Sequence, residues 1–430
     1  MKISLKYFKN LKNEKILGDA FKVLTGSVLS QAITIAILPI LTRNLGQEVI
    51  GNYFVWLGIG NILIVIATGR LDMAIFVVNT KGEVAFLLKL IASFAALVCL
   101  LVIIFGSILM PFFNLRFENT LFEQYFLSLS FLTFFSAILQ GVISYYIYTA
   151  EYIKLGWVKF GLALFVNLSV LLASIFLGSV SAIIYSHLLA TIIFVSVLLR
   201  FSGISGNHLF SKLEWNKLLS TLKRHYRFPL FSMPADFINS LSAQLPLFLI
   251  LSNFGSSSVA LFGIILRVLS GPIGLLASSM LTVFKEHAGR DFREIGNCKA
   301  IYLRTLKLLI LLGIVPFTIL FFFSPAIFTF IFGESWRAAG EYAVILVPMF
   351  FFKFVVSPLS YTLYISDKQF VDLVWQLGLL LITWCSFYFT NSLFNALLSY
   401  SVGYSAMYLI YFVISYNSAT NSKFLYGSSN

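Results

Sequence analysis

The stretch VAFLLKLIASFAALVCLLVIIFGSILM, residues 84–110, carries one charge, Lys89, over its whole length. About 20 mostly apolar residues suffice for an α-helix to cross the hydrocarbon core of a bilayer. Working outward, runs of the same kind lie near 23–41, 52–69, 121–148, 158–177 and 180–200. A polar stretch follows, and then runs near 229–251, 257–282, 303–324, 342–365, 370–390 and 393–415. Only a few residues around Asn391 separate the last two. These runs predict an all-α integral membrane protein of about twelve transmembrane helices.

Composition agrees with that reading. The 430 residues are 59% hydrophobic and 11% charged, with a mean hydropathy of +0.92, where a soluble domain has about 25% charged residues. In water such a chain would expose large apolar patches. The net charge of +13 could suit a polyanion, but the basic residues sit in short connectors between apolar runs, as cytoplasmic loops of membrane proteins do. No nucleic-acid partner is expected; membrane lipids are. Cys99, Cys298 and Cys385 lie far apart, match no metal or redox spacing and read as packing residues. The Lys-rich leader lacks the short apolar core and cleavage site of a secretory signal. It reads either as an interfacial helix carried by Leu5, Phe8, Leu11 and Ile16 or as a solvated segment.

Lys and Arg also set the expected orientation, because cytoplasmic loops retain them. With the N-terminus inside, inner connectors hold Arg70, Lys81, Lys154, Arg200 and the cluster from Lys212 to Arg227. They also hold Lys285 to Arg304 and Lys368, while outer connectors hold only Arg43, Arg116 and Arg337. Both termini are therefore expected in the cytoplasm of a bacterium, with the chain in the inner membrane. The expected organisation is a basic segment 1–22, a six-helix lobe 23–201, a basic connector 202–228, a second lobe 229–415 and a tail 416–430. Six helices per half imply a parallel repeat about the membrane normal. The hairpin Pro39…Asn44-Leu45-Gly46 and its echo Pro246…Asn253-Phe254-Gly255 support it.

No enzyme constellation is visible. His187, His208, His225 and His287 show no ligand spacing, no Gly-rich phosphate loop follows a strand, and no resident cofactor is expected. The informative residues are ionisable groups inside apolar runs, since a charge at the bilayer centre costs roughly 2.5–3.5 kcal/mol on insertion scales. Arg267 stands in the eighth run, Lys353 in the tenth and Asp236 in the seventh. Arg267 recurs with Gly263, Gly271, Gly274 and Ser278 at three and four residues, and Lys353 with Ser357, Ser360 and Tyr364. Gln31 in the first run and Asn61 in the second add polar groups, as does Arg70 nearer an interface. Two cations facing a water-filled cavity suit an anionic passenger, through bidentate hydrogen bonds from Arg and a point charge from Lys. The bland reading is an internal ion pair, for example Arg267 with Asp236, with small residues marking close helix packing. Prolines at 234, 272, 316, 348 and 358 either hinge the bundle or are static irregularities.

At these residues the chain resembles a known family. Gly26-Ser27-Val28-Leu29-Ser30-Gln31 through Leu38-Pro39-Ile40-Leu41-Thr42-Arg43, then Gly51-Asn52-Tyr53, is similar to the first hairpin of the bacterial O-antigen and capsule oligosaccharide flippases. That is the Wzx-type branch of the multidrug/oligosaccharidyl-lipid/polysaccharide exporter superfamily. Ala67-Thr68-Gly69-Arg70-Leu71-Asp72, Tyr226-Arg227-Phe228-Pro229, Arg267-Val268-Leu269 and Phe332-Gly333-Glu334-Ser335-Trp336-Arg337 extend the resemblance over most of the chain. It implies two six-helix lobes around a central cavity. The cargo it implies is an oligosaccharide repeat on a polyprenyl diphosphate, moved to the periplasmic leaflet for O-antigen, lipopolysaccharide, capsule or exopolysaccharide synthesis. On this view Arg267, Lys353, Asn61, Gln31 and Arg70 would line the substrate cavity. Asp236 would couple transport to H⁺ or Na⁺, and a polysaccharide polymerase and glycosyltransferases would be the partners. The alternative is a drug/cation antiporter of the same superfamily. Such relatives use cavity carboxylates, whereas the first run here has no Asp or Glu and the deepest charges are positive.

Overall fold

A computed structural model describes residues 25–78, 80–109, 121–201, 215–366 and 368–420. The leader 1–22, much of the connector 202–228 and the end of the tail lie outside them. Among the described residues, eleven helices are long and apolar enough to cross a membrane. In lipid no water is present to satisfy backbone N–H and C=O groups, so a spanning segment must pair them within itself. The first six apolar runs become α1 (Thr25–Asn44), α2 (Gln47–Thr68), α3 (Lys81–Ile104), α4 (Leu121–Tyr148), α5 (Tyr152–Phe176) and α6 (Val180–Phe201). A short amphipathic α7 (Trp215–His225) precedes α8 (Met233–Ile295), and α9 (Lys299–Phe332), α10 (Arg337–Val356), α11 (Gln369–Tyr388) and α12 (Leu393–Thr420) complete the chain.

The difference from twelve helices lies in α8, which holds both the seventh and the eighth run. It breaks at Gly255, where φ is +80° and ψ 173°, a conformation that a side chain would strain. The two Asn-apolar-Gly echoes of the sequence thus both fall on helix breaks, Gly46 between α1 and α2 and Gly255 inside α8.

The chain forms two compact units, Met1–Gln244 and Leu245–Asn430. The division falls inside the seventh run, beyond the expected connector, because α7 and the start of α8 are tied to the first unit. Arg224 Nη1 and His225 Nε2 lie 2.9 and 3.1 Å from Glu83 Oε1 on α3, and Asp236 pairs with Arg70. The core of this unit is aliphatic, with Leu71, Ile75, Leu87 and Ile91 almost wholly buried. Trp56 is also buried, its indole N–H donating to Ser128 Oγ at 3.0 Å. The second unit is packed by aromatic side chains, Phe262, Phe284, Tyr302, Phe328, Phe350 and Phe387. Since lipid tails are as apolar as these rings, their close packing rather than hydrophobic exclusion holds the helices together.

Two close approaches position the polar groups described below. A Cβ on Gly26 of α1 would collide with the backbone of Gly156 on α5, and a Cβ on Gly340 of α10 with the backbone of Ser324 and Pro325 on α9. Glycine at 26 and 340 therefore lets the paired helices touch. On the outside of α9, Leu311, Val315, Phe322 and Phe330 are exposed, as side chains facing lipid should be.

Candidate functional site

In the second unit a cavity of about 290 Å³ opens between α8 and α10. From α8 it takes Ser270, Gly274 and Ala277, one stripe at helical spacing, and from α10 Phe350, Lys353 and Ser357. The helix of Lys353 ends at Val356 and is followed by the 3₁₀ turn Ser357–Ser360, which holds Pro358. Proline, which lacks an N–H and fixes φ, suits that transition. The helical path resumes at Tyr361 and runs to Ile365. Lys353 is therefore far from either end of its membrane span, Glu334–Ile365. Among the described residues no carboxylate stands within ion-pair distance of its ammonium. The Ser270 hydroxyl donates to the Leu266 carbonyl of its own helix and leaves its lone pairs toward the cavity. One cation beside hydroxyl groups in an apolar wall can bind an anionic oxygen and has nothing to attract a cation.

The predicted stripes are thus brought together in part. Lys353 and Ser357 share the cavity with Gly274. Arg267 lies half-buried one turn before Ser270 on α8 and does not line this cavity. Ser360 donates to the Ser357 carbonyl, and Tyr364 turns to Asp372. Of the polar residues expected from the first two runs, Gln31 is half-buried with an Oε1 that lacks a hydrogen bond among the described residues. Asn61 is exposed on the first unit.

Asp236, expected from sequence as an ion-coupling group or as the partner of Arg267, is paired with Arg70, Nε to Oδ2 at 2.5 Å. Arg70 also faces Asp72 Oδ2 at 3.8 Å. The arrangement begins with two consecutive left-handed residues at the end of α2, Gly69 at φ +52° and Arg70 at φ +53°. The second is strained for a side-chain-bearing residue. Asp72, in the turn that follows, is fully buried. Burial raises its pKa above the ordinary carboxylate value, with the charge of Arg70 opposing. Arg70 accordingly faces two carboxylates.

A second polar cavity, about 380 Å³, lies within the first unit between α1, α4, α5 and α6. The Gly26–Gly156 contact sets α1 against α5 so that Lys159 Nζ donates to Ser27 Oγ at 3.2 Å and Asn167 Nδ2 to Thr34 Oγ1 at 3.2 Å. His187 lines the same space, its Nδ1 2.7 Å from the Tyr53 hydroxyl. Sequence reasoning missed Lys159 because it stands at the edge of its apolar run. The available signal was the register of Lys159 and Asn167 on α5 against Ser27 and Thr34 on α1, eight and seven residues apart, and it has meaning only once the two helices are known to touch. Also missed was Asp372 on α11, almost buried and accepting from Tyr364 Oη at 3.0 Å, Gln376 Nε2 at 2.9 Å and the Tyr411 hydroxyl. Among the described residues no cluster of His, Cys, Asp and Glu could hold a metal ion.

No protein-family model and no curated protein matches the sequence. Solved structures do match in fold. The lipid II flippase MurJ in an inward closed conformation is similar at a TM-score of 0.68 and 15% identity, over 93% of this chain and 87% of that one. An inward-facing multidrug resistance MATE family transporter of the MOP superfamily is similar at 0.58 and 14%, over 91% and 93%. An outward-facing MATE family transporter follows at 0.55 and 12%, over 92% and 93%. The chain has the fold of MOP superfamily transporters, an all-α membrane architecture.

Proposed function

We propose that this protein is a flippase for oligosaccharide repeat units carried on a polyprenyl diphosphate. It moves them from the cytoplasmic to the periplasmic leaflet of the bacterial inner membrane by alternating access, for O-antigen, capsule or exopolysaccharide synthesis. The observation that carries this reading is Lys353, a cation deep in its membrane span and open to a cavity that holds no carboxylate. Placing such a charge costs roughly 2.5–3.5 kcal/mol on insertion scales, a cost that a bound diphosphate would offset through charge-assisted hydrogen bonds. In this scheme a diphosphate oxygen accepts from the Lys353 ammonium and the Ser357 hydroxyl, and the polyprenyl tail stays in lipid. Arg267, one turn away on α8, supplies a second cation for the same headgroup. The fold shared with a lipid II flippase supports a lipid-linked cargo. Both termini lie in the cytoplasm in this scheme, transport runs against H⁺ or Na⁺, and glycosyltransferases and a polysaccharide polymerase act before and after it.

A second reading, a drug/cation antiporter, draws support from the fold shared with MATE family transporters and from the buried carboxylate Asp372, which a cationic cargo or coupling ion would seek. The deciding experiment is the sidedness of lipid-linked oligosaccharide in cells depleted of this protein. The flippase reading expects intact units trapped on the cytoplasmic leaflet and released by re-expression. Units that still reach the periplasmic face, with no redundant flippase present, refute it and make drug efflux the next assay.

A further inference from the structure

We infer that the cavity of the first unit is a sugar subsite, built for a hydroxyl-rich ring that bears one carboxylate, the chemistry of a uronic acid residue. The inference rests on the flippase reading and names part of its cargo. It begins with the hydrogen-bond inventory of the walls. On α1 the Ser30 hydroxyl donates to the Gly26 carbonyl at 2.6 Å and the Thr34 hydroxyl to the Ser30 carbonyl at 3.0 Å. On α6 the Thr191 hydroxyl donates to the His187 carbonyl at 2.9 Å. Each of these hydroxyls has spent its proton on its own helix and presents lone pairs to the cavity.

Asn167 is similarly committed. Its amide donates to Thr34 and, at 2.7 Å, to the Ala163 carbonyl, leaving Oδ1 as an acceptor. A wall of acceptors asks for a ligand that brings donors, and the hydroxyl groups of a sugar are such donors. A carboxylate brings none, and inorganic phosphate near neutral pH brings only one or two, against the three or four of a sugar ring.

Lys159 supplies the complementary feature. Its ammonium has three protons and gives one to Ser27 Oγ at 3.2 Å. Among the described residues no carboxylate stands within ion-pair distance. Lys159 stands at the edge of its apolar run, half-buried against α1. A single anionic group on the ligand would satisfy it. Acceptors around one cation therefore select an acidic sugar over a neutral sugar and over a simple anion. The cavity volume of about 380 Å³ lies near the small end of ligand pockets and fits one or two sugar rings rather than a whole repeat.

The test uses full-length protein in nanodiscs and saturation-transfer NMR, which reads weak sugar binding directly. The probes are D-glucuronate, D-glucose and inorganic phosphate. Glucuronate should bind to the wild type, and about tenfold more weakly to Lys159→Met, as loss of a charge-assisted contact implies. Glucose should bind weakly and equally to both. Thr34→Val, a near-isosteric change, should weaken both sugars and guards against a Lys159 variant that fails to fold, which thermal unfolding would reveal. Glucuronate binding unchanged in Lys159→Met, or absent from the wild type, overturns the subsite. Phosphate that displaces glucuronate at equal concentration makes it a bare anion site and overturns it as well. The leaflet assay does not depend on these outcomes, so failure of the subsite and failure of the flippase reading can be told apart.

Discussion

Arg70 Nε lies 2.5 Å from Asp236 Oδ2, joining the end of α2 to the first turn of α8. The pair is partly shielded, with 21% and 34% of the two side chains exposed, so it stands between a surface ion pair and a buried one. Arg70→Ala or Asp236→Ala should each lower the thermal unfolding temperature by about 2–4 °C, as a loss near 1 kcal/mol implies for a unit of this size. The double variant should cost less than the sum of the two. Additive losses in a double-mutant cycle would show that the two groups do not interact.

Asp72 gives the prediction in pH. Burial, opposed by Arg70, raises its pKa in the folded protein. Stability from the protonated form is then fully present below the unfolded carboxyl value near 3.9 and is lost as pH rises through the raised folded value. Asp72→Asn keeps the shape and removes the charge for good. Its unfolding temperature should exceed that of the wild type by about 2–4 °C at pH 8 and converge with it near pH 4. A difference that does not change with pH would mean that Asp72 is not the titrating group.

What the sequence could show divides by range. The helices were legible because a run of about 20 apolar residues is a local property, and so was the shared face of Lys353 and Ser357, four residues apart on one helix. The Gly255 break was visible only as an echo of Gly46, since the left-handed backbone that makes it a break is not written in composition. The partner of Asp236 was not legible either, because Arg70 is distant in sequence and packing of the α2 end against the α8 start decides the pair. Lys159 was passed over for the same reason. Its meaning depends on α1 lying against α5, and that rests on two glycines, Gly26 and Gly156, distant in sequence.

Lys353 is the residue on which the proposed function rests. Lys353→Met keeps the length of the side chain and removes the charge, so the protein should insert and fold while surface polysaccharide is lost. A charge-assisted hydrogen bond contributes about 1.5–3 kcal/mol, hence a roughly 10- to 100-fold loss of affinity for the diphosphate headgroup. Lys353→Arg should retain part of the activity. Normal surface polysaccharide in a correctly inserted Lys353→Met strain would remove this residue from the site.

Asp372 separates shape from charge in a different way. Its carboxylate is the common acceptor for Tyr364, Gln376 and Tyr411, and it is almost buried. Removing the acceptor strands the buried Tyr411 hydroxyl, at about 1–3 kcal/mol, and also frees the exposed Tyr364 and Gln376. Asp372→Ala should therefore lower the unfolding temperature more than Tyr411→Phe, which removes one donor and leaves the acceptor in place. Asp372→Asn, with one carbonyl oxygen still available, should fall between them. Thermal unfolding of the purified variants in one detergent ranks the three, and an alanine variant as stable as the phenylalanine one would show that the cluster does not hold α11 to α12. Transport measured on the same samples reads the charge. If the asparagine variant is folded yet has lost its dependence on the H⁺ or Na⁺ gradient, the carboxylate is the coupling group, and its three neutral donors are what hold it in position.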